Sequence, residues 1–160
     1  MLSKEKLEAN AETQAHRENV RRYLRIIAVE LLKRGEVHDD SKMQEDEIEY
    51  FAKYTPRLKG ITYNSPEYKK CLEEIKPALD HHYAKNRHHP EHFVNGIKGM
   101  TLIDLVEMFT DWFASSQRHS DGNILKSIAH NKERFSMSDD LVAILENTAN
   151  DIDLENASRK

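Results

Sequence analysis

Thr101-Leu102-Ile103-Asp104-Leu105-Val106-Glu107-Met108-Phe109-Thr110-Asp111-Trp112-Phe113 is the stretch whose reading decides the fold class. Thr101 can cap a helix whose third position is the acidic Asp104. Leu105, Met108, Phe109, Trp112 and Phe113 then follow at the three- and four-residue steps that gather on one helical face. This spacing predicts a central, strongly apolar core helix from Leu102 to about Arg118. Asp111 lies inside it, one heptad after Asp104, so its carboxylate projects at or near the buried face and needs a partner there.

Upstream, Ser3 to Arg34 contains no Gly or Pro, and His16, Val20, Leu24, Ile27 and Leu31 recur at helical steps, which predicts a long first helix with that face toward the core. Gly35 is expected to end it. Ser41 with Gln44 or Glu45 reads as the cap of a short amphipathic helix carrying Ile48, Phe51 and Ala52, limited by Pro56. Gly60 to Pro66 reads as a loop. Ser65 and Pro66 then open a helix toward Tyr83, which Pro77 should kink or restart. Lys85 to Gly99, with Pro90, Gly96 and Gly99, reads as an ordered loop or short turns. Asp121-Gly122 marks a turn before two further helices, Ile124 to Phe135 and Asp139 to about Leu154, the second capped by Ser138. The end from Ala157 to Lys160 is expected to fray.

The 160 residues match one domain, with a core over about residues 16 to 118 and C-terminal helices over about 123 to 154. With 38% hydrophobic and 32% charged residues but only five Gly and four Pro, the composition suits amphipathic helices better than sheets with many turns, and the class reads as all-α. The net charge of −4 gives no global attraction to nucleic acid. Cys71 is the lone cysteine, the first residues lack the apolar core of a signal peptide, and the longest apolar run, Ile26 to Leu32, is broken by Glu30. A reducing cytoplasm and no membrane are therefore expected, with oligomerisation left open.

Chemistry concentrates in two places. His38-Asp39-Asp40-Ser41-Lys42 sets an imidazole beside a carboxylate, with an ammonium three residues later. The first two side chains can share a divalent cation and the third can meet an anionic substrate. Five of the nine histidines fall between His81 and His92, a density that a solvated surface does not require. A His and Asp mixture suits Mn, Fe, Co, Ni or Zn, as one or two ions, better than Ca or a thiolate-bound structural Zn. Neighbours on a helix point about 100° apart, so one of each pair His81/His82 and His88/His89 should stand outside the ligand set, with His82 and His88 favoured and His92 in reserve. His16 interrupts the apolar stripe of the first helix, where a buried imidazole needs a partner such as a metal. Lys42 and Arg87 are phosphate-sized cationic groups, and His89 is placed with them on the substrate side. The plain readings are a capping role for Asp39, a capping-box role for Asp104, core packing for Trp112 and Phe113, and a surface or ligand-supporting contact for Glu107.

Taken in order, His16, His38-Asp39-x-x-Lys42, a His-rich segment and Met108-x-x-Asp111-x-x-Ala114 resemble the ligand set of the HD-domain metal-dependent phosphohydrolases. His-Asp-x-Ser-Lys, Asn-Arg-His-His-Pro-Glu-His and Glu-Met-x-x-Asp-Trp are more narrowly similar to a small HD-related family of phage and bacterial genomes. The resemblance covers about residues 16 to 118, and departs from the larger family in having Asp40-Ser41 where an apolar residue and Gly are usual. It implies a single-domain HD-like helical bundle in which His16, His38, Asp39 and Asp111 hold a cation, Asp39 bridging to a second ion held by histidines such as His82 and His88. It further implies hydrolysis of a nucleotide or related phosphoester by metal-activated water, with Asp39 and Lys42 in catalytic roles. Two other readings accompany it, an HD-like di-iron oxygenase and a non-catalytic helical interaction protein stapled by metal.

Overall fold

The computed structural model describes residues 3–59, 61, 65–117 and 122–151. Among them there are six α-helices and three short 3-10 turns and no strand, so the fold is all-α. Residues 1–37 and 38–160 form two compact units.

The first unit is one helix, α1 (Lys4–Glu36), whose N-terminal N–H groups are capped by Ser3 Oγ. It runs past Gly35 and buries no side chain. Within this unit Val20, Leu24 and Ile27 are exposed, as is His16. The period identified a helix correctly, but the large apolar residues from Tyr23 to Leu32 surround it rather than lining one side.

The second unit begins with a turn at His38 and the 3-10 turn Asp40–Met43, followed by α2 (Glu45–Lys59) and α3 (Pro66–Lys85). Ser65 Oγ caps α3 by accepting from Tyr68 N–H at 3.1 Å. The limit expected at Pro56 is corrected, since α2 continues through it to Lys59, and α3 runs through Pro77 without restarting. The carbonyls that lose their donors belong to Ala52 and Glu73, both exposed residues, so solvent can supply the missing donor. Ser41 is not the cap of α2. It is buried, and its hydroxyl contacts His82 Nδ1 at 2.9 Å.

The His-rich segment holds two 3-10 turns, Pro90–His92 and Gly96–Gly99. Gly99 allows a close approach, because a Cβ there would stand 2.8 Å from that of Phe93. After it come α4 (Leu102–Ser116), α5 (Ile124–Phe135) and α6 (Asp139–Asp151). The expected capping box is present: Thr101 Oγ1 accepts from Asp104 N–H at 3.2 Å and Asp104 Oδ2 accepts from Thr101 N–H at 2.9 Å. Ser138 Oγ accepts from Leu141 N–H at the start of α6. The expectations for Gly60, residues 62–64, Arg118, Asp121, the chain beyond Asp151 and the first two residues lie outside the described residues.

Two apolar clusters organise this unit. Tyr54 from α2 packs with Cys71, Ile75 and Ala78 from α3, and Phe109 from α4 packs with Ile124, Ile128, Met137, Val142 and Leu145. Trp112 lies against the second cluster with its ring stacked on Phe135. Full burial of side chains such as Ile75, Met108 and Ile128 stabilises by about 1.5–3 kcal/mol each. The consequence for function is positional. Apart from Asn131 on α5, the buried polar residues collect where the turn after His38, the start of α2, the end of α3, the His-rich turns and the first half of α4 face one another.

Candidate metal centre

Asp39 has left-handed backbone geometry, φ 62°, which a non-glycine residue adopts at a cost and which Asp and Asn tolerate better than most. This conformation sets its carboxylate among imidazoles and one ammonium. Oδ1 lies 3.2 Å from His82 Nε2 and 3.4 Å from His88 Nε2, while Oδ2 accepts from Lys42 Nζ at 2.6 Å. Lys42 Nζ also stands 5.4 Å from the centre of the Phe51 ring, within cation–π range.

The far nitrogens of the imidazoles are held by buried carboxylates. Glu107 Oε1 faces His38 Nδ1 at 3.0 Å and His88 Nδ1 at 3.1 Å, and a carboxylate can only accept, so both Nδ1 atoms carry the proton. Their Nε2 atoms are thereby turned inward, His38 Nε2 lying 3.7 Å from Asp111 Oδ1 and from Asp39 Oδ2. Fully buried Glu47, on α2, lies 2.7 Å from His81 Nδ1 and 3.0 Å from His82 Nδ1. His89 Nε2 stands 3.0 Å from His82 Nε2.

Two donor groups result. In Asp39, His82, His88 and His89, and again in His38, His88 and Asp111, one atom per residue lies within 4.8 Å of all the others. Asp39 Oδ1 and His88 Nε2 are buried and make no hydrogen bond. Inward-facing nitrogens with carboxylate-held backs, beside a buried carboxylate oxygen lacking a hydrogen bond, are the donor set that a divalent transition ion requires. The residues fit such an ion.

Electrostatics agree with this. The Asp111 carboxylate and then Glu107 push His38 up to about 10 against the opposing effect of burial. Burial alone would lower His88, yet Asp39 and Glu107 raise it. Burial would raise Asp39 too, but His82, His88 and Lys42 hold it far below the usual carboxylate range, as His38 and His88 hold Asp111 down. Burial, then the neighbouring His88 and His82, pushes His89 down to about 3. Protons on the imidazoles thus offset the carboxylates where a cation would otherwise do so.

The structure brings together His38, Asp39, Lys42, His82, His88, His89 and Asp111 from the residues singled out in the sequence. His16 is in neither donor group and is exposed on α1. His89, read from sequence as a substrate contact, stands among the ligand atoms. Arg87 is engaged elsewhere, donating from Nε and Nη2 to Asp104 at 3.1 and 3.0 Å while its guanidinium lies over Phe93. His92 Nδ1 contacts the Tyr83 carbonyl instead of the site. Sequence reasoning missed Glu47. Its one signal was an acidic residue in the first turn of α2, which reads as ordinary helix-end chemistry.

A family model described as Family of unknown function (DUF5662) matches residues 5–151 of the chain. The chain belongs to this family. No curated protein and no solved structure matches it. The DUF5662 match spans every residue of both donor groups and also the capping box that orients α4, so the candidate centre lies wholly within the family's extent.

Proposed function

We propose that this DUF5662 chain is a metal-dependent phosphohydrolase acting on a nucleotide or related phosphoester. The observation that supports the reading is the convergence of Asp39 Oδ1 and His88 Nε2, neither hydrogen-bonded, with the inward donors of His38, His82, His89 and Asp111. Asp39, His82, His88 and His89 would hold one ion. His38, His88 and Asp111 offer a second position, and because His88 presents one ring nitrogen to both, two ions at once would divide the six donors three and three or four and two. A bound ion supplies water of lowered pKa and positive charge for the phosphoryl oxygens.

The chain's own groups support the remainder. Lys42 carries three N–H groups, of which Asp39 Oδ2 takes one, leaving donors for a phosphoryl oxygen. Its side chain is about one-third exposed, so an anion can reach it from solvent. Asp39 positions that ammonium and faces the ligand nitrogens with its other oxygen. Glu107 holds His38 and His88 so that neither ring can turn its Nε2 away. Among the described residues no helix is long and apolar enough to cross a membrane. The free, buried Cys71 suits the reducing cytoplasm where we place the activity.

The test is metal analysis of protein purified without a histidine tag, followed by a panel of nucleotides and phosphomonoesters and diesters with Mn, Fe, Co, Ni and Zn added singly. Phosphate release that follows metal content and disappears in Asp39→Ala and Asp111→Ala is the expected result. Oxygen consumption by iron-loaded protein without phosphate release would move the assignment to an oxygenase. Bound metal whose removal lowers thermal stability alone would mark a structural staple.

A further inference from the structure

Glu47 is 0% exposed, on a helix that contributes no ligand, yet its two oxygens meet two neighbouring imidazoles. From this arrangement we infer that Glu47 is a positioning residue, which selects the ring nitrogen that His82 presents to a metal. The inference rests on the metal-centre reading above and extends it to a residue outside both donor groups.

The argument turns on where the His82 proton sits. His82 Nδ1 has three polar neighbours: Glu47 Oε2 at 3.0 Å, Ser41 Oγ at 2.9 Å and Asn86 Nδ2 at 3.0 Å. Asn86 Nδ2 has two N–H groups, and both have nearer acceptors, Ser41 Oγ at 2.7 Å and the His82 carbonyl at 2.8 Å. Neither needs the imidazole. Glu47 accepts only, and a lone pair on Nδ1 facing its carboxylate in a fully buried site would be repulsive. The proton therefore belongs on Nδ1. That leaves the Nε2 lone pair of neutral His82 directed at Asp39 Oδ1, 3.2 Å away, an oxygen that makes no hydrogen bond.

That lone pair, which also has His89 Nε2 at 3.0 Å, is directed into the donor group, where a cation between it and the Asp39 carboxylate would satisfy both. Glu47 thus prepares the nitrogen on the opposite edge of the ring. His81 shares the carboxylate through Oε1 and is partly exposed, with Asp46 as its other neighbour at 3.6 Å. It occupies one Glu47 oxygen and leaves the other to His82. Glutamine at position 47 would offer a single carbonyl oxygen to the two imidazoles and aim an amide N–H at the other.

The experiment has two independent readings. Ring-nitrogen NMR of the metal-free wild type should show His82 protonated at Nδ1. A His82 that carries its only proton on Nε2 overturns the inference whatever the metal result. Second, the Kd for Zn2+, measured by chelator competition, should weaken in Glu47→Gln by about 10–100-fold, the usual effect of removing a carboxylate behind a histidine ligand. In the double variant Glu47→Gln with His81→Ala the carbonyl is free for His82, and much of the affinity should return. An unchanged Kd in Glu47→Gln, or a loss that the double variant does not recover, overturns the inference. Should Glu47→Gln not fold by far-UV circular dichroism, Glu47→Asp, which keeps the carboxylate at a shorter reach, should show a smaller loss. Wild-type protein that binds no Zn2+ counts against the metal reading alone, because the proton position on His82 is read without metal.

Discussion

Asp39 combines a costly backbone conformation with a carboxylate held among imidazoles and one ammonium. Its left-handed backbone costs of the order of 1 kcal/mol or more, and its carboxylate stands in a partly buried site. Lys42 and the protonated imidazoles offset that charge in the metal-free chain. Asp39→Asn keeps the shape and tolerates the same backbone, so the fold should persist while bound metal, assayed by elemental analysis, falls by more than the roughly 10–100-fold that loss of a supporting residue brings. The pH response follows from His38, whose value rises from 6.5 to about 10 because Asp111 and Glu107 face its ring. A raised value means that the charged form stabilises the folded state. This contribution is complete below pH 6.5 and is lost as pH climbs through 10. Melts of chelated protein should therefore show Tm falling between pH 7 and 10, with a smaller fall in His38→Gln. Metal affinity should move the other way, rising with pH as the competing protons leave.

At the scale of single elements, α4 carries two roles, and its orientation is set at its first turn. Asp104 is fully buried, closes the capping box with Thr101 and receives the bidentate pair from Arg87, which ties the His-rich segment to the helix bearing Glu107 and Asp111. Asp104→Ala should cost about 2 kcal/mol, the upper end for a lost cap, measured by urea unfolding. Metal affinity should fall with it. This element was legible in the sequence because a capping box and an apolar period are local signals, and the limits of α5 were legible for the same reason. The prolines were not, since whether Pro56 and Pro77 end a helix depends on whether water reaches one freed carbonyl, a tertiary fact. The same division runs through the candidate site. His38, Asp39 and Lys42 are adjacent in the chain and advertise themselves. Glu47 and Glu107 reach their histidines across 34 and 69 residues, and Arg87 is drawn to Asp104 across 17, pairings that no spacing rule contains. For His16 a helical period tells which residues share a face and not what covers that face.

For the unit formed by residues 38–160, the candidate centre joins parts with separate apolar clusters. Tyr54, Cys71, Ile75 and Ala78 hold α2 to α3, whereas Phe109 and its partners hold α4 to α5 and α6. The His38 turn, His82 and His88 on one side and Asp111 with Glu107 on the other meet at the donor groups, so an ion bound there would tie the two clusters through coordinate bonds. A ligand that binds only the folded chain stabilises it by mass action, by about 2.7 kcal/mol at a free concentration one hundred times its Kd. Adding Zn2+ or Mn2+ to chelated protein should therefore raise Tm progressively with concentration, and Asp111→Ala should flatten that dependence without lowering the metal-free Tm to the same extent. Hydrogen exchange gives the spatial reading of the same effect. Amides of α3 and α4 nearest the donors should gain protection with metal, while those of α6, which contributes no donor, should change least. Uniform protection across the unit, or none in α4, would mean that the ion sits elsewhere and that the convergence of His38, Asp39, His88 and Asp111 serves packing alone.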